Sequence, residues 1–391
     1  MIKTIDECFF QIQNGANIKQ GDIEGGYPIT RIETTANDKF NRDRMGYAGI
    51  TDLLKYESYV LEDGDLLMSH INSVQYLGRT VLYCKQPNET IIHGMNLLRL
   101  KARRDVIDPA YARYCFFGHP FRSQVGNITK KSVNQASFAV KDLKQIKIDI
   151  PSIDEQRKVV AVLDKIQKII DRRNEELNAL DDLIKARFVE MFGDPVKNPK
   201  GWEVVTIGDI VTEVRYGTSK PAVEGGKYPY LRMNNLTADG HLDLNDLKYI
   251  DIPDDEIEKC VVRKGDVLFN RTNSIELVGK TVVFDLQEDM IIAGYIIRVR
   301  LNKRLLPEIL SQYMNLEALK DILRSMAKGA VNQANINAQE LQSIKVYIPD
   351  MELQKRFIEM KNQVDKSKVA VQKALDETQM LFDSLMQEYF G

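Results

Sequence analysis

The chain has 391 residues, 43% of them hydrophobic and 28% charged, enough for two or more globular domains with their own cores. Its 54 basic and 56 acidic residues leave a formal charge of −2, so no whole-molecule field draws it to nucleic acid or to an acidic membrane, and any such binding is local. Cys8, Cys84, Cys115 and Cys260 lie far apart with no metal-ligand or redox spacing, the opening MIKTIDECFF is too polar for a secretion signal, and no apolar run reaches the roughly 18 residues that cross a bilayer, so a reducing cytoplasm is the expected setting.

Residues 1–151 carry short alternating apolar runs such as KIDI, broken by glycine and asparagine turns, which predicts a small β-rich domain with a few helices. The pattern changes after Pro151. Ser152 stands three residues before Glu155, a capping-box arrangement that opens a helix. Apolar residues then recur at gaps of four and three, at Val159, Leu163, Ile166 and Ile170 and again at Leu177, Leu180 and Ile184. This coiled-coil seam is interrupted at Arg173 and closes at Gly193. The spacing predicts one helix over 152–193. The segment DPVKNPKG, residues 194–201, with two prolines and two lysines, reads as a linker.

Residues 202–349 repeat the β-rich pattern, with KVYI near the end, and residues 350–391 repeat the helix, with Phe357, Val364, Val371, Leu375, Phe382, Leu385 and Tyr389 at compatible spacing. Lys361 and Lys368 also fall on this second seam. Neither helix can hide so long an apolar stripe in its own small domain, so the two are expected to pack on each other, running antiparallel if the domains are to sit at opposite ends.

The halves are copies of one plan. DLKQIKIDIP from Asp142 answers to ELQSIKVYIP from Glu340, and SVNQASF from Ser132 to AVNQANI from Ala330, at a constant offset of 198 residues. Upstream, VLEDGDLLMSHINS from Val60 matches VVRKGDVLFNRTNS from Val261. Such a repeat sets the architecture before any single motif does.

Catalytic and cofactor signatures are missing. No GxGxxG or GxxxxGK[ST] occurs, and His70, His93, His119 and His241 form no HExxH or other metal spacing. The carboxylates of LEDGD from Leu61 read as a turn, since the second copy keeps only the Gly-Asp.

Polar residues that recur at matched places are the candidate binding set. Arg31 matches Arg232, Asn72 and Ser73 match Asn273 and Ser274, and Arg79 matches Lys280. Asn134 and Gln135 match Asn332 and Gln333, preceded by Lys130 and Lys131 in one copy and by Lys328 in the other. Lysine and arginine meet phosphates, while asparagine, glutamine and arginine can pair with base edges in the major groove. Capping of turns accounts equally well for Asn72, Asn134 and their partners. The copies differ where His70 faces Arg271 and Ser69 faces Asn270, and similar scaffolds with different polar tips would read different sequences.

Two variable β-rich domains, each ending in Ile-Pro before a long helix, with EQRKVV after the first, ARFVEMFGDP at that helix's end and NPKGWEVVTIGDI opening the second, resemble the specificity subunit of type I restriction-modification systems over essentially the whole chain. The resemblance implies an α+β fold of two tandem target recognition domains, each followed by a long helix, the helices packed as an antiparallel coiled coil with pseudo-two-fold symmetry. It implies a non-catalytic subunit whose halves each read one part of a split double-stranded DNA site, the helices fixing the gap. Two modification subunits, carrying S-adenosylmethionine, would dock on it, and restriction subunits using ATP and magnesium would complete a nuclease. A methyltransferase specificity subunit without restriction partners, a coiled-coil scaffold with two peptide-binding domains, and a divergent nuclease or methyltransferase stand as alternatives.

Overall fold

A computed structural model of the chain describes residues 1–21, 26–132, 135–330 and 333–391, the side chains of residues 328–330 excepted. It divides into two compact units, residues 1–173 with 374–391 and residues 174–373.

In the first unit the strands Phe9–Asn14, Leu97–Ala102, Leu66–Ser69 and Thr80–Leu82 form an antiparallel sheet in that order. In the second, Val211–Tyr216, Ile296–Leu301, Val267–Asn270 and Thr281–Val283 pair in the same order. The runs that the sequence marks as strands supply a further pair in each unit, Ile2–Thr4 with Lys147–Asp149 and Glu203–Thr206 with Lys345–Ile348. The second unit has a mixed four-stranded sheet, Lys248–Ile250, Tyr228–Leu231, Met290–Ile292 and Val261–Val262, which the first unit echoes with Tyr27–Ile29 against Gly46–Ala48 and with single bridges from Ile92 to Ile29 and Val60.

The long helices run Ile153–Phe192 and Met351–Phe390, each of 40 residues. The capping box is present: Glu155 Oε2 accepts from the Ser152 amide at 3.0 Å, and Ser152 Oγ accepts from the Glu155 amide at 3.4 Å. Gly193 ends the first helix at φ +89°, a conformation that costs glycine little and other residues much. The following linker is a fastened turn, in which the Trp202 indole donates to the Phe192 carbonyl at 2.8 Å.

Within each unit, one part of each long helix lies antiparallel to the other. In the first unit Leu163, Ile166 and Ile170 are buried on one side of the seam and Phe390 on the other, with Phe382 and Leu385 packed against the same core. The break at Arg173 is a polar crossing, its guanidinium donating to the Ala374 carbonyl and the Thr378 hydroxyl. In the second unit Ile184, Phe188, Phe192, Phe357 and Val364 share the core, with Phe188 and Phe357 edge to face at 5.2 Å. The lysines on this seam are accommodated by acids: Lys368 meets Asp181 at 2.5 Å and Lys361 meets Asp365 at 2.6 Å. Leu177, Leu180, Val371, Leu375, Phe382 and Leu385 are half-buried, because two helices alone cover only part of each other's stripe.

One buried glutamine fastens each helix to its β-rich part. Gln156, fully buried, donates to the carbonyls of Val106 and Pro151, both at 3.0 Å, and accepts from the Asp108 amide at 2.9 Å. Gln354 repeats this in the second unit, donating to Arg304 at 3.1 Å and Pro349 at 2.8 Å and accepting from the Leu306 amide at 2.9 Å. Buried amides of this kind are stabilising only when every polar atom is met, which is the case here.

Candidate nucleic-acid interface

Gln135 and Gln333, the described members of the recurring Asn-Gln pairs, occupy the same structural place in both units, the returning side of a short hairpin. In the first unit, Lys130–Lys131 turns back as Ala136–Ser137, which pairs in turn with Ile71–Asn72, so that Asn72, Ala136 and Lys131 stand side by side. Ser132 closes the hairpin, its amide and its hydroxyl both donating to the Gln135 carbonyl at 2.8 Å. In the second unit Lys328–Ala330, Gln333–Asn335 and Thr272–Asn273 build the same three strands, with Ala330 opposite Gln333. Lys130, Lys131, Gln135 and Gln333 are all exposed. Asn134, Asn332 and the Lys328 side chain lie outside the described residues.

Asn72 and Asn273 shape the turn that leaves this small sheet. Each accepts from the next residue's amide, Ser73 at 2.8 Å and Ser274 at 2.9 Å, while its own amide group bonds Ser69 Oγ at 3.3 Å or Asn270 Oδ1 at 2.8 Å. The turn-capping account of these asparagines therefore describes their bonding. The loops that follow present apolar side chains to solvent, Val74 and Tyr76 in one unit and Ile275 and Leu277 in the other. Arg31 and Arg232 start matching turns, their amides donating to Thr34 Oγ1 and Asn235 Oδ1, both at 2.8 Å. The Arg31 Nε reaches Gln20 at 2.5 Å and Arg232 Nη2 reaches Asp246 at 2.7 Å.

Three predicted positions are not presented to solvent, and the expectation that they touch a duplex is corrected. Lys280 is buried, its ammonium donating to the carbonyls of Met233 and Leu236, so this cation holds a loop where a phosphate contact was expected. Asn270 is fully buried and bonds the carbonyls of Thr272 and Tyr295, both at 3.2 Å. His70 is buried with the Phe138 ring edge-on at 6.2 Å, and burial pulls its imidazole down to about 4. Arg79 remains half-buried, 3.3 Å from Asp38 and over the Tyr76 ring at 4.8 Å.

The sequence reading missed a second cation in each unit. Arg122 donates to the Gln75 carbonyl at 3.4 Å and lies close enough to Arg79 that burial and this neighbour both depress its guanidinium. Lys320 stands at the matched position, pushed down to about 8 chiefly by burial, with Arg324 and Lys280 adding to the effect. The offset of 198 residues that aligns Gln135 with Gln333 also aligns Arg122 with Lys320, so the repeat itself carried the signal. The exposed set can meet phosphates through ammonium groups and present carboxamide donor and acceptor pairs to base edges. Among the described residues no group of three His, Cys, Asp or Glu is placed to hold a metal ion, and no helix is long and apolar enough to cross a membrane.

A family model described as the type I restriction modification DNA specificity domain matches the chain twice, at residues 3–181 and 199–378. The putative type I restriction enzyme MjaX specificity subunit of Methanocaldococcus jannaschii is 28% identical over 381 residues, which span 93% of this chain and 86% of that protein. The EcoKI specificity subunit of Escherichia coli is 25% identical over 291 residues, 69% of this chain and 62% of that protein. Among solved structures, the S subunit of a type I restriction-modification system from M. genitalium shares the fold with a TM-score of 0.55 at 14% identity, covering 100% of this chain and 96% of that one. A chain from a structure of type I R-M complex assembly and conformational transition gives a TM-score of 0.56 at 18% identity, covering 100% and 97%.

Proposed function

The chain belongs to the family of type I restriction-modification DNA specificity subunits, and from this we propose that each of its two units reads one part of a split double-stranded DNA site. It is a non-catalytic subunit that assembles with others of its system. The observation that carries the reading is the double match of the specificity domain, one copy on each half, where each unit presents a hairpin of the same construction.

In this reading the hairpin ends, with Gln135 and Gln333, enter the major groove, and Lys130, Lys131 and Lys328 meet backbone phosphates, supplying the local positive charge that the chain's overall −2 does not. Two modification subunits dock on the chain and hold S-adenosylmethionine, and restriction subunits with ATP and magnesium join them. The assembly works in the cytoplasm. The long helices set the gap between the half-sites, and the glutamine fastenings keep each reading part in register with its helix.

Sequence-resolved methylation mapping tests the reading. DNA from cells expressing this chain with the modification subunit of its own system should carry a methylated motif of two short defined halves around a fixed gap, absent from cells lacking the chain. Expression of both soluble proteins without any chain-dependent motif would refute it.

A further inference from the structure

The recognition part of the second unit, residues 202–349, contains eight arginines, and among the described residues seven of them sit within 4 Å of a carboxylate. The eighth is Arg271. It is half-buried, its guanidinium lies over the Tyr216 ring at 4.9 Å, and its Nη2 donates to Asn335 Oδ1 at 3.1 Å. Its Nε is buried without a partner, and the bond from Nη2 to Asn335 is the one hydrogen bond the guanidinium makes among the described residues, which leaves the outer edge of the fork open there.

Everything around this guanidinium is itself held. The Tyr216 hydroxyl accepts from the Ala338 amide at 2.8 Å, which fixes the ring beneath the fork. Asn335 is paired with Thr272 on one side and Lys328 on the other, in the hairpin that carries Gln333. The Arg271 amide donates to Tyr295 at 3.0 Å and its carbonyl accepts from Ile336 at 2.9 Å. A stacked, tethered arginine with no carboxylate within 4 Å among the described residues is pre-organised for a planar acceptor pair, and the pair in a major groove that matches the fork is O6 and N7 of guanine.

The first unit lacks the whole assembly. Register places Asn14, His70 and Ser137 where Tyr216, Arg271 and Asn335 stand, on an unchanged backbone in which Phe138 bonds the His70 carbonyl at 3.2 Å as Ile336 bonds that of Arg271. Three positions differ together inside a repeated frame. We infer that Arg271 reads a guanine in the half-site of the second unit, with Tyr216 and Asn335 as its positioning residues. This rests on the specificity reading above and names one base within it.

The test uses the full chain in complex with the modification subunit of its own system, in competition binding against duplexes in which each guanine of the site is replaced in turn by adenine or by 7-deazaguanine. Wild type should disfavour replacement at one guanine of the second half-site by about 10- to 100-fold. R271K, which keeps the charge and loses the fork, and R271M should both lose that discrimination while discrimination across the first half-site persists. Y216L and N335A should weaken it at the same position, which a merely structural role would not single out. Discrimination in R271K and R271M equal to wild type at every guanine overturns the inference. So does an affinity loss equal for all sequences with a shallower salt dependence, the mark of a phosphate contact. A wild-type complex that selects no sequence overturns the specificity reading itself.

Discussion

Replacing Gln354 with methionine removes the fastening of the second unit while keeping the side chain's volume. The substitution strips two carbonyls, Arg304 and Pro349, and one amide, Leu306, of their partners; the glutamine itself is fully buried, the Pro349 bond is buried and the other two are part-buried. A buried group left bare costs about 1–3 kcal/mol, and with two of the three only part-buried the low end, about 1–1.5 kcal/mol each, applies, so the three together should cost about 3–5 kcal/mol. The chain has one tryptophan, Trp202, and it belongs to the second unit. Urea unfolding followed by its fluorescence therefore reports on that unit, and a slope of roughly 2–3 kcal/mol per molar turns the loss into a midpoint drop of about 1–2 M. The matching change Gln156→Met should leave the Trp202 midpoint in place and destabilise the first unit instead. A drop worth less than about 1 kcal/mol for Gln354→Met would refute the claim that the glutamine clamps helix to domain.

The first unit should be acid-sensitive. His70 and His93 are buried, and burial holds them neutral, at about 4 and about 3, whereas the unfolded chain titrates near 6.5. The unfolded state thus binds protons first, so stability is complete above about pH 6.5 and drains as the pH falls toward 4, by up to roughly 2 kcal/mol per histidine at pH 5. Hydrogen exchange over residues 1–173 at pH 7 and 5 measures this, and an unchanged pH dependence in His93→Gln would count against it. Phe188→Ala, which empties a site between Phe192 at 4.7 Å and Phe357 at 5.2 Å, should cost about 3–5 kcal/mol by Trp202 fluorescence. Gln135→Ala and Gln333→Ala should each weaken binding to one half-site by ~1–3 kcal/mol, while Lys131→Ala should weaken all sequences alike and lower the salt slope by about one. Unchanged affinity and half-site preference in both glutamine variants would remove them from the reading set.

The helices, their start at Ser152 and their end at Gly193 were legible because period and capping are local properties of neighbouring residues. The doubling was legible because two copies in one chain supply their own alignment. Strand order was not, since the pairing of Phe9–Asn14 with Leu97–Ala102 depends on partners that no short window contains. The site shows the same division. Position in the repeat located Gln135 and Gln333 at matching hairpin ends, yet it also equated Arg79 with Lys280, whose ammonium is taken up by carbonyl oxygens that tertiary packing brings to it. Arg271 was visible as a mismatch with His70, but its ring support and tether come from Tyr216 and Asn335, 55 and 64 positions away along the chain.

The division into compact units gives the chain an order of events during its own synthesis. The second unit is one continuous stretch, 174–373, whereas the first takes its final pieces from 374–391. At about 5–20 residues per second, the ribosome needs roughly 10–40 s to make the intervening 200 residues. Through that interval the surface around Tyr111 and Tyr114, later covered by Phe390 and Phe382, faces water or a chaperone. The half that is translated first is thus the half that finishes last.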